Sequence, residues 1–525
     1  AESQRDEARA ALDALYAEGE RYSERMREKD MEAERVRTES AVLEEQIKEK
    51  ESAAAVLEGI AADGGLYIRD DLSTMNFDWK GLLGEDSLTM SARILSALLP
   101  DIPDMETLVK QGYEGKFETD ELTPLAQVGD RYVLELFRGP TSAFKDVALS
   151  LLPRLITSAK TVCGVDDEIV ILTATSGDTG KAALEGFHDV PGTRIIVFYP
   201  HGGVSTVQQA QMATQEGSNV CVCAVRGNFD DAQTGVKNIF AACQDKDLHG
   251  VRLSSANSIN IGRLAPQVMY YFRAYADLVK AGRIRVGDTV HYVVPTGNFG
   301  DILAGYFAKL MGLPVGKLVC ASNANDVLTE FLSTGVYDKR RPFHKTTSPS
   351  MDILVSSNLE RMLYLLSDGD DAYVAGLMRQ LRDEGRYQVT DKMLARLHEI
   401  FSCACCDDAQ AAEVMGRVWR EHGYVCDPHT AVAWHAADAF MEQADGAPVV
   451  VLSTASPYKF PAAVLSALGE EPGDDEFAMM DKLSALTGTP IPKNLATLRE
   501  KQVRHKDVID KDAMLDYVLG KIQSK

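Results

Sequence analysis

Residues 168–180 read EIVILTATSGDTG, and this stretch decides the fold class. Ile169, Val170, Ile171 and Leu172 form an unbroken apolar run, so a strand here is buried on both faces, as in a parallel sheet. A turn rich in hydroxyls and glycine follows at Thr175–Gly180, and sequence of helical character follows the turn. The same grammar recurs along the chain. Strand-like runs stand at 132–137 (YVLELF), 194–199 (RIIVFY), 220–225 (VCVCAV), 290–295 (VHYVVP), 317–321 (KLVCA) and 448–453 (PVVVLS). Helix-length segments separate most of them, which predicts an α/β protein with parallel sheets. At 525 residues the chain exceeds what a single core usually supports, so more than one domain is expected.

Composition narrows the function. Apolar residues at 45% and charged residues at 25% are those of a globular protein able to bury a core. A formal charge of −23 argues against nucleic acid or an anionic membrane as partner, since both are bound by basic faces. No apolar run is long enough to span a bilayer, and no secretory signal precedes the first strands. A reducing, cytoplasmic setting is therefore expected, although a cleaved organelle peptide would leave no trace. The cysteines are few and odd in number, so no disulfide framework is expected. Cys403, Cys405 and Cys406 read as a buried, inert cluster on a helix, and no metal site is expected.

Residues 1–51 stand apart. They hold no proline, one glycine (Gly19), and mostly Ala, Glu, Arg, Lys and Met. Ala8, Leu15, Tyr22, Val36 and Leu43 share one heptad position, interrupted by Lys29. Leu12, Met26, Ala33 and Ile47 share the other, interrupted by Gly19 and Ser40. A long charged helix follows, either one partner of a coiled coil through which the chain self-associates or a solitary solvated helix. The tail from Gly473 on is charged and reads as helical, broken at Pro490 and Pro492.

Three strand ends carry turns suited to ligands: Thr175–Gly180, Thr296–Asp301 and Ser453–Ser456. In open α/β sheets ligands gather at such ends. Glycine frees backbone N–H groups at a helix start to cradle an anion. Neither glycine turn is a nucleotide fingerprint. A fourth segment, Phe137–Asp146, ends on Ala143-Phe144-Lys145-Asp146. Such a lysine reads either as a solvent-facing helix residue or, closed into a pocket where it loses solvation, as a nucleophile and base. An amine next to an anion cradle suggests pyridoxal phosphate.

From about Ser52 to Leu519 the chain resembles threonine synthases of the long bacterial and fungal type. The resemblance rests on eight segments in order: 57–67 (LEGIAADGGLY), 143–146 (AFKD), 172–180 (LTATSGDTG), 204–208 (VSTVQ), 255–263 (SANSINIGR), 295–301 (PTGNFGD), 427–432 (DPHTAV) and 453–460 (STASPYKF). It implies a fold-type-II pyridoxal-phosphate lyase with two doubly wound α/β domains, converting O-phospho-L-homoserine and water into L-threonine and phosphate. The smaller domain is expected over 156–262, and the larger over 52–155 plus 263–525.

Residue by residue, the resemblance makes Lys145 the Schiff-base lysine, with Phe144 beside it. Gly297, Asn298, Phe299 and Gly300, with Asp301, match the loop for the cofactor phosphate, and Thr454 the hydroxyl at the pyridine nitrogen. Ser176, Gly177, Asp178, Thr179 and Gly180 match the loop for the substrate carboxylate. Asn257, Ser258 and Arg263 match the polar set for the substrate phosphate, where a planar guanidinium pairs with two oxygens. Two features depart from the family: a charged helix replaces the usual start, and Ser456 and Tyr458 stand where other residues are common. Tyr458 is expected to reshape the rim near the cofactor. Two other readings stay open: a phospho-lyase giving a 2-oxo acid and ammonia, and a coiled-coil interaction protein with an idle enzyme module.

Overall fold

The apolar runs become strands, and alternate residues of each strand enter different cores. The structure is a computed structural model that describes residues 50–523 apart from positions 62, 176, 244, 245 and 247. The helix expected over residues 1–51, and any self-association through it, lies outside the described residues except at positions 50 and 51. From Ser52 onward the chain is one compact unit.

In chain order the strands are β1 (Leu125–Val128), β2 (Arg131–Glu135), β3 (Glu168–Ala174), β4 (Thr193–Pro200), β5 (Val220–Arg226), β6 (Val251–Ser254) and β7 (Val290–Pro295). They continue as β8 (Val315–Ser322), β9 (Val336–Asp338), β10 (Arg386–Gln388), β11 (Phe401–Cys405), β12 (Val449–Ser453) and β13 (Asp507–Asp510). One sheet has the order β1-β2-β12-β7-β8-β11, and a second the order β13-β5-β4-β3-β6. Only β1 pairs antiparallel in the first, and every pairing in the second is parallel. β9 and β10 form a small separate ladder.

Successive side chains leave a strand on opposite faces, and the cores follow that rule. From β3, Ile169 and Ile171 enter the central core while Val170 and Leu172 enter a core on the far side of the second sheet. From β12, Val450 and Leu452 enter the central core, and Val449 and Val451 a third core under the helix Pro428–Phe440. Helices therefore cover both faces of both sheets, and the ligand turns project at the strand ends.

Three expectations need correction. Cys403 and Cys405 lie on β11, not on a helix, and Cys405 is exposed while only Cys406 of the three is buried. Small residues such as Ser402 and Ala404 give a strand little propensity signal, and the pairing with β8 supplies the order instead. The tail is not wholly helical, since β13 pairs with β5. Strand β13 and the helix Met514–Gln523, taken above as part of 263–525, belong to the sheet of segment 156–262, where Met514, Val518 and Ile522 complete its outer core.

The helix Asp178–Phe187 packs against the short helix Lys145–Leu149. Gly186 makes this approach possible, because a Cβ there would sit 1.9 Å from the Leu149 carbonyl oxygen. Backbone cannot yield as a side-chain tip can, so Gly186→Ala is expected to cost about 3 kcal/mol. Urea unfolding checks this, and an unchanged midpoint contradicts it.

Candidate active site

Lys145 is placed by a loop that closes on itself. After β2 the chain turns through Gly139, where a Cβ would lie 2.5 Å from Asp146. Ser142 adopts the left-handed conformation with φ 60°. The Asp146 carboxylate accepts from the Thr141 N–H at 2.8 Å and from its hydroxyl at 2.5 Å, which ties the loop to the first turn of the helix. Burial pushes the Asp146 carboxyl up to about 6, against those hydrogen bonds. Ala143 bridges to Ala455, and the Phe144 N–H donates to the Thr454 carbonyl at 2.8 Å. Lys145 and Thr454 are thereby neighbours, 8% and 5% exposed.

The Lys145 amine lies 4.6 Å from the centre of the Phe144 ring. It donates to Ser350 Oγ at 3.2 Å and stands 3.9 Å from Asp178 Oδ2. Burial draws its pKa down to about 8, with Arg263 and Lys459 adding to the effect and Asp178 opposing it.

Asp178 begins the helix that follows β3. Gly177 before it has φ 138°, and a Cβ there would lie 2.4 Å from the Gln208 amide. Gln208 Nε2 donates to Asp178 Oδ1 at 3.0 Å, and the wholly buried Lys459 donates to the same oxygen at 2.6 Å. Burial alone would raise the Asp178 carboxyl, but Lys459 and Lys145 outweigh it and hold it below the usual carboxylate range. The glycine turn is less free than its sequence suggests. Thr175 Oγ1 accepts from the N–H groups of Gly177 at 3.0 Å and Gly180 at 2.9 Å, so these two are spent within the turn. Thr179 is half-buried on the first helical turn, and Ser176 lies outside the described residues.

The turn after β7 is held from outside. The Gly297 carbonyl accepts from Ser356 Oγ at 2.7 Å, and the Asn298 carbonyl from the Asn358 side chain at 3.0 Å. Phe299 caps the helix Gly300–Leu310 with φ 62° and packs its ring on Phe401. The first N–H groups of that helix have no carbonyl one turn back to bond. A Cβ on Gly297 would lie 3.0 Å from the Ser350 carbonyl, so glycine lets the 349–351 turn approach closely. The Asp301 carboxylate turns into the fold, accepting from the hydroxyls of Tyr270 and Tyr271. Burial raises it to about 6.

Arg263 is a buried cation whose guanidinium donates to the Ala256 carbonyl at 2.8 Å. Among the described residues it pairs with no carboxylate. Burial lowers its pKa to about 10. Asn257 is tied by its N–H to Ser255 Oγ at 3.2 Å. Ser258 approaches the phosphate turn, 3.8 Å from where a Cβ on Gly300 would stand. A buried guanidinium without an acid, a helix start with open N–H groups, and a desolvated amine together fit an aldehyde cofactor with an anionic tail and an anionic substrate.

Four groups here escape a reading of the sequence. Lys459 and Gln208 lie inside quoted segments, yet nothing in their spacing assigns them to Asp178. Ser350 lies in a stretch with no signal. His429 accepts from the Ser350 N–H at 3.1 Å through Nε2, and its Nδ1 lies 2.6 Å from Asp427 Oδ2, so this pair pins the turn that carries Ser350. Tyr458 does not reshape the rim as expected. It is buried in the core under Pro428–Phe440, and its hydroxyl donates to the Thr489 carbonyl. Among the described residues no helix is long and apolar enough to cross a membrane.

Comparison with known proteins identifies relatives of this chain. The family model "Pyridoxal-phosphate dependent enzyme" matches residues 119–455, and "Threonine synthase, C-terminal" matches 430–518. The threonine synthase of Pseudomonas aeruginosa is 39% identical over 456 residues, covering 86% of this chain and 91% of that protein. Human threonine synthase-like 1 is 38% identical over 445 residues, or 81% of this chain. The chain spans only 59% of that relative's length. The crystal structure of pyridoxal-phosphate-bound threonine synthase from Brucella melitensis superposes with a TM-score of 0.78 at 37% identity, covering 90% of this chain and 97% of that one.

Proposed function

The chain belongs to the threonine synthase family of pyridoxal-phosphate-dependent enzymes, and from that premise we propose that it converts O-phospho-L-homoserine and water into L-threonine and phosphate. The observation that carries the reading is the buried Lys145 amine, 3.9 Å from Asp178 and under the influence of Arg263. Pyridoxal phosphate supplies, when bound, a conjugated ring able to take up the electrons of a broken Cα–H bond. The N–H groups at Gly297–Gly300 would hold its phosphate, and the Thr454 hydroxyl would meet its ring nitrogen.

Lys145 acts as the nucleophile that holds the cofactor and, once released, as the base that takes the substrate α-proton. Burial of the amine keeps water from competing for that proton. Arg263, with Ser258 and Asn257, grips the substrate phosphate and stabilises its charge as it leaves Cγ. For phosphate to leave Cγ a proton must also be taken from Cβ; Cγ then takes up a proton to become the methyl group, water adds at Cβ, and Lys145 returns a proton to Cα. The open N–H groups at Asp178 and Thr179 receive the α-carboxylate.

Incubating the full chain with pyridoxal phosphate and O-phospho-L-homoserine tests the assignment. Threonine is the expected product; 2-oxobutyrate with ammonia, and no threonine, would make the protein a phospho-lyase instead. Capture of the cofactor aldehyde needs the neutral amine. Its rate is therefore expected to rise with pH through about 8 and to level off above, because only the deprotonated form reacts. A rate flat between pH 6 and 9, followed by absorbance, contradicts that role.

A further inference from the structure

Two buried lysines share one carboxylate in this site, and only one of them has a role in the reaction above. Lys459 has no solvent exposure and carries a charge that must be balanced locally. Its amine binds Asp178 Oδ1 at 2.6 Å and the Thr141 carbonyl at 3.2 Å. Gln208 completes that side of the carboxylate. The other oxygen, Oδ2, faces Ser350 Oγ at 3.5 Å and the Lys145 amine at 3.9 Å. Lys145 is thus beyond hydrogen-bond range of Asp178 and gives its proton contact to Ser350 instead.

We propose that Lys459 is a positioning residue that claims the Asp178 carboxylate and so leaves the Lys145 amine freer to lose its proton and react. The inference rests on the reading of Lys145 as the reactive amine. An unshared carboxylate about 4 Å from a lysine would hold it protonated, a state that is neither nucleophile nor base. Lys459 prevents this in two ways. It neutralises Asp178, and its own charge repels a second cation nearby. The remaining charged groups around Lys145 come from other elements and do not substitute for it. Arg263 from the helix Ile261–Leu264 adds repulsion. Asp146, on the lysine's own helix, is committed to Thr141. Asp301 from the helix after β7 is committed to Tyr270 and Tyr271. His429 reaches Lys145 only through the turn of Ser350.

The arrangement also explains a difference between the two amines. Both are buried, but the Lys459 amine is engaged by a carboxylate and a carbonyl, whereas Lys145 has a single hydroxyl acceptor. Their roles are therefore fixed by Asp178 rather than by burial.

The test is the pH dependence of acetic anhydride labelling of Lys145 in the cofactor-free full chain, read by peptide mass spectrometry. No substrate or cofactor enters, so its failure is distinct from failure of the proposed reaction. In Lys459→Met the labelling midpoint is expected at least about one pH unit above that of the unaltered chain, a tenfold slower reaction below the midpoint. Lys459→Arg keeps the charge and is expected to restore the midpoint. An unchanged or lowered midpoint in Lys459→Met overturns the proposal. Should that variant lack the near-ultraviolet dichroism of the folded chain, Asp178→Asn decides. Removing the carboxylate is expected to lower the Lys145 midpoint, and a rise or no change overturns the proposal.

Discussion

Lys145→Ala is expected to lower threonine formation from O-phospho-L-homoserine by about ten-thousand-fold, with little loss of stability. The magnitude follows from removing a positioned base and the covalent anchor of the cofactor in one step. Stability survives because the amine is not holding the fold. Its hydrogen-bond partner is the Ser350 hydroxyl, and the Asp178 charge keeps Lys459 and Gln208 as partners. Burying a lysine is itself unfavourable, as the lowered pKa of Lys145 records. Product chromatography and thermal unfolding measure the two halves of the expectation. Activity within tenfold of the unaltered chain contradicts the role given to this amine. A collapse of stability would show instead that the lysine is structural.

Arg263→Gln is expected to lower kcat/KM for the same substrate by at least about thirtyfold, the effect of leaving a buried phosphate without about 2 kcal/mol or more of charge pairing. The guanidinium is suited to this because it is buried and, among the described residues, donates to the Ala256 carbonyl rather than to an acid. The loss separates from a merely structural effect through a second readout. Arg263 helps draw the Lys145 pKa down. The pH at which cofactor uptake reaches half its maximum rate therefore moves upward in the variant. Arg263→Lys restores the charge but not the planar fork, and is expected to recover only part of kcat/KM. A kcat/KM within threefold of the original, with an unmoved pH profile, contradicts the assignment.

Much of this architecture is legible in the amino-acid sequence, and for a physical reason. Continuous apolar runs such as Ile169–Leu172 and Val449–Leu452 can be satisfied only by covering both faces of a strand, and both are covered. Glycine-rich turns after β3 and β7 announce themselves because backbone conformations such as φ 138° at Gly177 favour that residue. What escapes is whatever depends on partners distant in sequence. Strand β11 is built mostly from small residues after Phe401 and owes its state to β8. Strand β13 is mostly exposed and owes its state to β5, which lies far earlier in the chain.

The candidate site divides along the same line. The turn at 297–300 lies in a segment whose local pattern marks it, whereas Lys145 and Arg263 gain their roles from the resemblance of whole segments. Lys459 and Ser350 become meaningful only once Asp178 and Lys145 are seen between them. Thr175 shows the converse, a residue inside a quoted turn whose hydroxyl consumes two of the N–H groups that the pattern offers to a ligand. Tyr458 shows that an unusual residue in a motif can point away from the site altogether.

Borohydride reduction of the full chain loaded with pyridoxal phosphate, followed by peptide mapping, tests the central claim most directly. The two buried amines of the site lie on opposite sides of one carboxylate, so the label distinguishes them. The phosphopyridoxyl group is expected on Lys145, with Lys459 unmodified. A label on Lys459, or on neither lysine, would contradict the account.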